Sequence, residues 1–136
     1  MKALITLTLL LSLGLMAPVM AADQDDVEEF EKRVKQLNAL AEKPGMDGVA
    51  LKRISTETGV PLENVRAQHK RHPNIGAGGL MVGNVLSNET GKPTEQFLKQ
   101  RADGKKWLQM ARDNKVSVEK LNERLERLDR AIKGQQ

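Results

Sequence analysis

Ile54-Ser55-Thr56-Glu57-Thr58-Gly59-Val60-Pro61-Leu62-Glu63-Asn64-Val65 reads as the end of one helix, a sharp turn and the start of the next. Gly59 supplies the left-handed conformation that commonly closes a helix. Pro61 suits the first turn of a new helix, and Glu63 brings negative charge to that turn, where the helix dipole favours it. The same order recurs at Leu86-Ser87-Asn88-Glu89-Thr90-Gly91-Lys92-Pro93-Thr94-Glu95-Gln96-Phe97. It recurs again at Met110-Ala111-Arg112-Asp113-Asn114-Lys115-Val116-Ser117-Val118-Glu119-Lys120-Leu121, with Lys115 in the glycine's place and Ser117 in the proline's. One corner used three times implies short helices meeting at turned angles. The corner glycines and Lys115 lie 32 and then 24 residues apart, which is too uneven for a regular solenoid.

Both ends read as longer amphipathic helices. Val27, Phe30, Val34, Leu37 and Ala41 step by three and four, and Pro44-Gly45 stops the pattern. Val118, Leu121, Leu125, Leu128 and Ile132 repeat that stepping behind Ser117 as an N-cap. Glu123 with Arg127, and Glu126 with Arg130, are acid-before-base pairs four apart that support a helix surface. The two stripes are suited to packing on one another within the chain, or to pairing with a second copy as a homodimer. Phe30, Phe97 and Trp107 are the aromatic residues, so the core must come from Leu, Val, Ile, Met and Ala, which suits helices rather than a β-sandwich. The expected fold class is all-α: a compact array of short helices with three helix-turn-helix-like corners, flanked by longer N- and C-terminal amphipathic helices.

The chain opens with Met1-Lys2, an uncharged stretch from Ala3 to Met16, and then Ala17-Pro18-Val19-Met20-Ala21 before the polar run from Asp23. That is the order of a secretory signal peptide, with small residues where a signal peptidase cuts, and cleavage is expected after Ala21. The apolar run is short for a membrane span. The expected product is a periplasmic or secreted protein that is not integral to a membrane, with one helical domain over residues 22–136. Within it fall an acidic N-terminal helix (22–44), the corner region (48–116) and the C-terminal helix (117–133). The absence of cysteine excludes a cysteine-linked lipid anchor and disulfides.

Charge is unevenly spread. Residues 22–47 hold eight acids and four bases, whereas residues 48–136 hold seventeen bases and ten acids. The expected function is that of a non-catalytic exported protein acting by binding, with an envelope protein or anionic polymer as partner. Because a basic body attracts anions, the alternative is an electrostatic binder of polyanions, an envelope polymer or nucleic acid. Leu51 through Lys70 follows the turn grammar of a DNA-binding helix-turn-helix, and Arg66, His69, Lys70 and Arg71 could meet phosphates. Export argues against specific DNA recognition.

Ile75-Gly76-Ala77-Gly78-Gly79-Leu80-Met81-Val82-Gly83-Asn84 is rich in glycine but lacks the dinucleotide fingerprint and the Gly-Lys-Ser/Thr of a P-loop. It reads as a loop entering a helix whose small face admits a neighbouring backbone, with a small-ligand groove as the functional alternative. His69 and His72 stand three apart, and Glu63 or Asn74 would have to complete any metal site; two histidines without cysteine fall short of a zinc set. Without Cys, Tyr or a Gly-x-Ser-x-Gly elbow, no catalytic residue is nominated. No cofactor is expected either. The candidate interaction surface comprises Arg66, Lys70 and Arg71, the glycines Gly76, Gly79 and Gly83, and Lys105, Lys106 and Trp107. Trp107 follows the Asp103-Gly104 turn and shares an apolar side with Met110 and Ala111, which suits a core anchor; an exposed partner anchor is the alternative.

From Gly78 to Leu121 the order of motifs resembles a group of small exported bacterial proteins of uncharacterised function. The shared features are the glycine-led helix at Gly78-Gly79-Leu80, the Thr90-Gly91-Lys92 corner, the Arg101-Ala102-Asp103-Gly104-Lys105-Lys106-Trp107 turn and the Val116-Ser117 corner. Leu108 stands where glycine is frequent in that group, and Lys115 is unusual at the last corner. The resemblance implies an envelope location and a helical fold, and brings no active site with it.

Overall fold

The computed structural model describes residues 24–134. The expected signal peptide and its cleavage site lie outside them. Among the described residues the chain forms seven helices and no strand. They are α1 (24–41), α2 (Met46–Thr58), α3 (Leu62–Arg71), α4 (Gly76–Thr90), α5 (Thr94–Ala102), α6 (Trp107–Asp113) and α7 (Val118–Lys133). None of them is long and apolar enough to cross a membrane.

α4 is the axis. Gly76 through Leu86 are buried without a break, and α2, α3, α5, α6 and α7 all pack on it. A helix that is apolar all round must be enclosed on every side, and the glycine-rich composition is what lets the neighbours approach. A Cβ on Gly78 would lie 2.8 Å from the Val34 carbonyl oxygen of α1, and one on Gly83 would lie 2.9 Å from Leu98 Cδ2 of α5. The glycines therefore form seats for α1 and α5, and no open groove runs along them. Each helical glycine costs about 0.5–1 kcal/mol relative to alanine, which these close contacts must offset.

The terminal stripes are used inside the chain. Val27, Phe30, Val34, Leu37 and Ala41 are buried, as are Leu121, Leu125, Leu128 and Ile132, with Val118 half-buried. Neither stripe is left free to seam with a second copy. Arg33 Nη1 donates to Asn122 Oδ1 across the two helices at 3.2 Å. Glu57, at the end of α2, accepts from Arg124 and Arg127 of α7 at 3.4 and 3.0 Å, fixing α7 along α2.

The corners prove to be one hydrogen-bonded unit. In the first, Ser55 Oγ donates to the Val60 carbonyl (2.6 Å), Thr58 Oγ1 donates to the Ile54 carbonyl (2.6 Å), and Gly59 N donates to the Ser55 carbonyl (2.9 Å). In the second, Ser87, Thr90 and Gly91 make the same three bonds, to Lys92, Leu86 and Ser87, at 2.7, 2.7 and 2.8 Å. The third reaches the same shape by other means. Asn114 Nδ2 takes the threonine's place on the Met110 carbonyl (2.8 Å), and Lys115 adopts φ 56°, against 75° and 76° at Gly59 and Gly91. The corners are then tied together. Asn88 Nδ2 donates to the Thr58 carbonyl (2.6 Å) and Lys92 Nζ to Asn114 Oδ1 (2.6 Å).

Replacing Gly78 with alanine should push α1 off α4 and cost about 1–3 kcal/mol, the usual penalty of overpacking. Gly48→Ala, in α2 with open space at the Cβ position, should be neutral or stabilising by up to about 1 kcal/mol. Urea unfolding of the two variants checks the difference.

Candidate functional site

Where α4 begins, α1 crosses it. The Asn38 side chain accepts from Gly78 N (2.7 Å) and Gly79 N (3.4 Å) and donates to the Ile75 carbonyl (3.0 Å). These bonds satisfy amides that a helix start leaves without partners. Gly76, at φ 74°, has the Asn38 side chain where a Cβ would stand. The start of α4 is thus closed by protein and holds no exposed anion site.

Beside this cap opens a cleft of about 860 Å³. One wall is α1, with Glu31, Lys32 and Lys35. A second is the end of α3 and its turn, with Arg71, His72, Pro73 and Asn74. The third joins the end of α5 to the start of α6, with Arg101, Ala102, Lys106 and Trp107, while Val34, Asn38 and Ile75 complete the lining. Among the described residues, five permanent cations and one carboxylate line the cleft, and no hydroxyl or thiol side chain does.

The cations fall into two groups. Arg101 pairs with Glu31 and lies over the Trp107 ring, 5.4 Å from its centroid. Glu31 also accepts from Trp107 N at 3.0 Å, capping the start of α6. Arg71 Nη2 lies 2.8 Å from Glu95 Oε1, and His72 Nε2 lies 2.8 Å from Glu95 Oε2. Arg71 and Arg101 also close the last turns of α3 and α5, where cations complement the helix dipole. These five side chains, Arg101, Glu31, Arg71, His72 and Glu95, are accounted for by intrachain chemistry. Lys32, Lys35 and Lys106 are exposed and have no ion-pair partner among the described residues. Lys106 immediately precedes α6, a position where the dipole disfavours a cation.

Partial burial pushes the Glu95 carboxyl up, but the hydrogen bonds and positive charge of His72 and Arg71 outweigh it. The carboxyl is held below its ordinary value of 4.5. An imidazole held by a carboxylate also resembles an oriented general base. Here the carboxylate is shared with Arg71, and among the described residues no hydroxyl or thiol side chain lines the cleft beside it.

Several residues nominated from sequence land elsewhere. Gly76, Gly79, Gly83 and Trp107 are buried, Trp107 to 1% exposure. The small-ligand groove and the exposed tryptophan anchor are corrected to packing contacts. Lys105 pairs with Asp113 at 2.6 Å and lies outside the cleft lining. Arg66 and Lys70 are exposed on α3 but do not line the cleft either. Of the nominated set, Arg71, Lys106 and the edge of Trp107 meet there. His72 is engaged by Glu95 rather than by His69, and no group of three or more His, Asp or Glu among the described residues is placed to hold a metal. Reading the sequence missed Lys32, Lys35 and Arg101. The first two sit inside the segment whose net charge is negative, so the segment total concealed them.

A second polar group lies deeper. Asn84 is fully buried and exchanges two hydrogen bonds with Gln68, at 2.8 and 3.1 Å. Its Nδ2 also donates to the Leu80 carbonyl (2.8 Å), and Thr94 Oγ1 donates to its Oδ1 (3.1 Å). With both donors and the acceptor used, this trio joins α3, α4 and α5 and offers nothing to a ligand.

No family model, curated protein or solved structure matches this chain.

Glu95 gives a pH test with a defined sign. A carboxyl held below its ordinary value stabilises the fold above about pH 4.5, and that contribution is lost as pH falls through the lower native value. Wild type should be more stable than Glu95→Gln at pH 6, with the gap narrowing as the pH is taken below 4.5, when urea midpoints are compared across the series.

Proposed function

We propose that this chain is an exported, non-catalytic helical protein that acts by binding, and that the cleft between α1, α3, α5 and α6 receives an anionic, polymeric partner. The observation that carries the reading is the trio of exposed lysines, Lys32, Lys35 and Lys106, which line one cleft and have no ion-pair partner among the described residues, where a single carboxylate joins them in the lining. Charge left uncompensated in a concave surface raises the local concentration of oppositely charged ligand. The export element rests on residues 1–21, whose composition is that of a cleavable signal peptide. The non-catalytic element is supported by a lining of ammonium and guanidinium groups and an imidazole already engaged by Glu95, with no hydroxyl or thiol among the described residues that line it. Exposed ammonium groups recognise charge density rather than a shape, so a polymer carrying many oxyanions fits better than a single small acid.

The test uses protein recovered from the extracytoplasmic fraction of a producing bacterium, where the chain should begin at Ala22. Binding of short-chain inorganic polyphosphate, followed by titration calorimetry, should weaken steeply between about 50 and 200 mM salt. The triple variant Lys32→Gln, Lys35→Gln, Lys106→Gln should lose about tenfold or more in affinity at low salt, given up to about 1 kcal/mol per exposed charge pair. Lys43→Gln, Lys52→Gln, Lys115→Gln removes the same charge away from the cleft and should bind nearly as wild type. Binding that ignores salt, or equal losses in both triple variants, would sink the assignment to the cleft.

A further inference from the structure

Resting on that reading, we infer that Glu95 is an internal competitor for the cleft, occupying Arg71 and His72 until a ligand of higher charge density displaces it. Arg71 and His72 belong to the cleft lining; Glu95, which holds both, does not. The carboxylate reaches them from the first turn of α5. Its side chain is 38% exposed and that of Arg71 is 57% exposed, so the pair can part into water without opening the core.

Release has a second favourable feature. Glu95 stands next to Thr94, the first residue of α5, so a carboxylate turned away from Arg71 still lies at the positive end of that helix dipole. The competitor has somewhere to go. The carboxylate that does line the cleft is built differently. Glu31 is 14% exposed, pairs with Arg101 and also caps Trp107 N, so releasing it would uncap α6. Of the two acids, Glu95 is the displaceable one.

The consequence is a threshold on ligand charge. At Arg71 an isolated small anion must exchange one ion pair for another and gains little. A chain of closely spaced oxyanions reaches Lys32, Lys35 and Lys106 at once, and once anchored it competes for Arg71 at high local concentration. Glu95 thereby selects clustered oxyanions over single ones.

The experiment compares wild type, Glu95→Gln, Glu95→Asp and Glu119→Gln, with inorganic phosphate and short-chain polyphosphate as probes. Glu119→Gln makes the same charge change in the first turn of α7. Circular dichroism and urea unfolding establish that each variant is folded. Glu95→Gln should bind polyphosphate several-fold to about tenfold more tightly, with a salt slope steeper by about one unit for the freed arginine. The ratio of affinities for polyphosphate over phosphate should fall. Glu95→Asp, shortened but equally charged, should show part of the gain, and Glu119→Gln little of it. Unchanged or weaker binding in Glu95→Gln, while the three lysines still matter, would overturn the competitor and leave the cleft assignment standing. A gain in Glu119→Gln equal to that in Glu95→Gln would reduce the effect to net charge and overturn it too. If wild type and Glu95→Gln both fail to bind polyphosphate, the cleft reading falls and the competitor with it.

Discussion

The crossing of α1 over the start of α4 is the contact on which the cleft depends. It combines steric permission with a polar lock. Gly78 lets the α1 backbone come close, with the Val34 carbonyl oxygen 2.8 Å from where a Cβ would be. Asn38 then fills the space with an amide that answers two backbone donors and one acceptor. Alanine at Gly78 would separate the helices; loss of the Asn38 amide would leave helix-terminal groups unsatisfied, at about 1–3 kcal/mol for each buried one. With α1 held there, Glu31, Lys32 and Lys35 face the ends of α3 and α5.

The remainder of the fold follows a related economy. A chain with three aromatic residues has few large side chains with which to specify helix angles. It uses satisfied polar contacts instead. The Asn84–Gln68–Thr94 group fixes α3 and α5 on α4, and the corner bonds fix the turns. Fully satisfied polar groups in a low-dielectric interior restrict the arrangement more than apolar packing alone. The corners and the cleft lie toward opposite ends of α4, whose fifteen residues span about 22 Å. The corner end is consumed by mutual hydrogen bonds, and the cleft end retains unpaired charge.

Much of the fold was legible because local rules govern it. The three corners carry their turn residues at fixed offsets, and the stripes of α1 and α7 carry a strict three-four step, so both were found where expected. The Gly76–Gly83 stretch was legible as a small face, but which neighbours would fill it was not, since Asn38 and Trp107 come from 38 and 31 positions away from Gly76. The buried Asn84 pair had no sequence signature, because an asparagine in an apolar helix looks the same whether satisfied or not. The site was legible only in part. Arg71 and Lys106 were visible as basic residues near turns, whereas Lys32 and Lys35 were hidden by the acids around them, and only tertiary packing turns them toward the cleft.

Under the proposed function, the uncompensated charge at the α1 crossing, and not the basic character of the chain at large, makes the binding site. The most direct measurement is a heteronuclear NMR titration of the 22–136 chain with short-chain polyphosphate, following backbone amides residue by residue. The largest shift changes should fall at Lys32, Lys35, Arg71, His72 and Lys106, with little change at Gly59, Gly91 and Lys115. Changes spread over the basic residues of α7 and the corners, or none near the cleft, would contradict it.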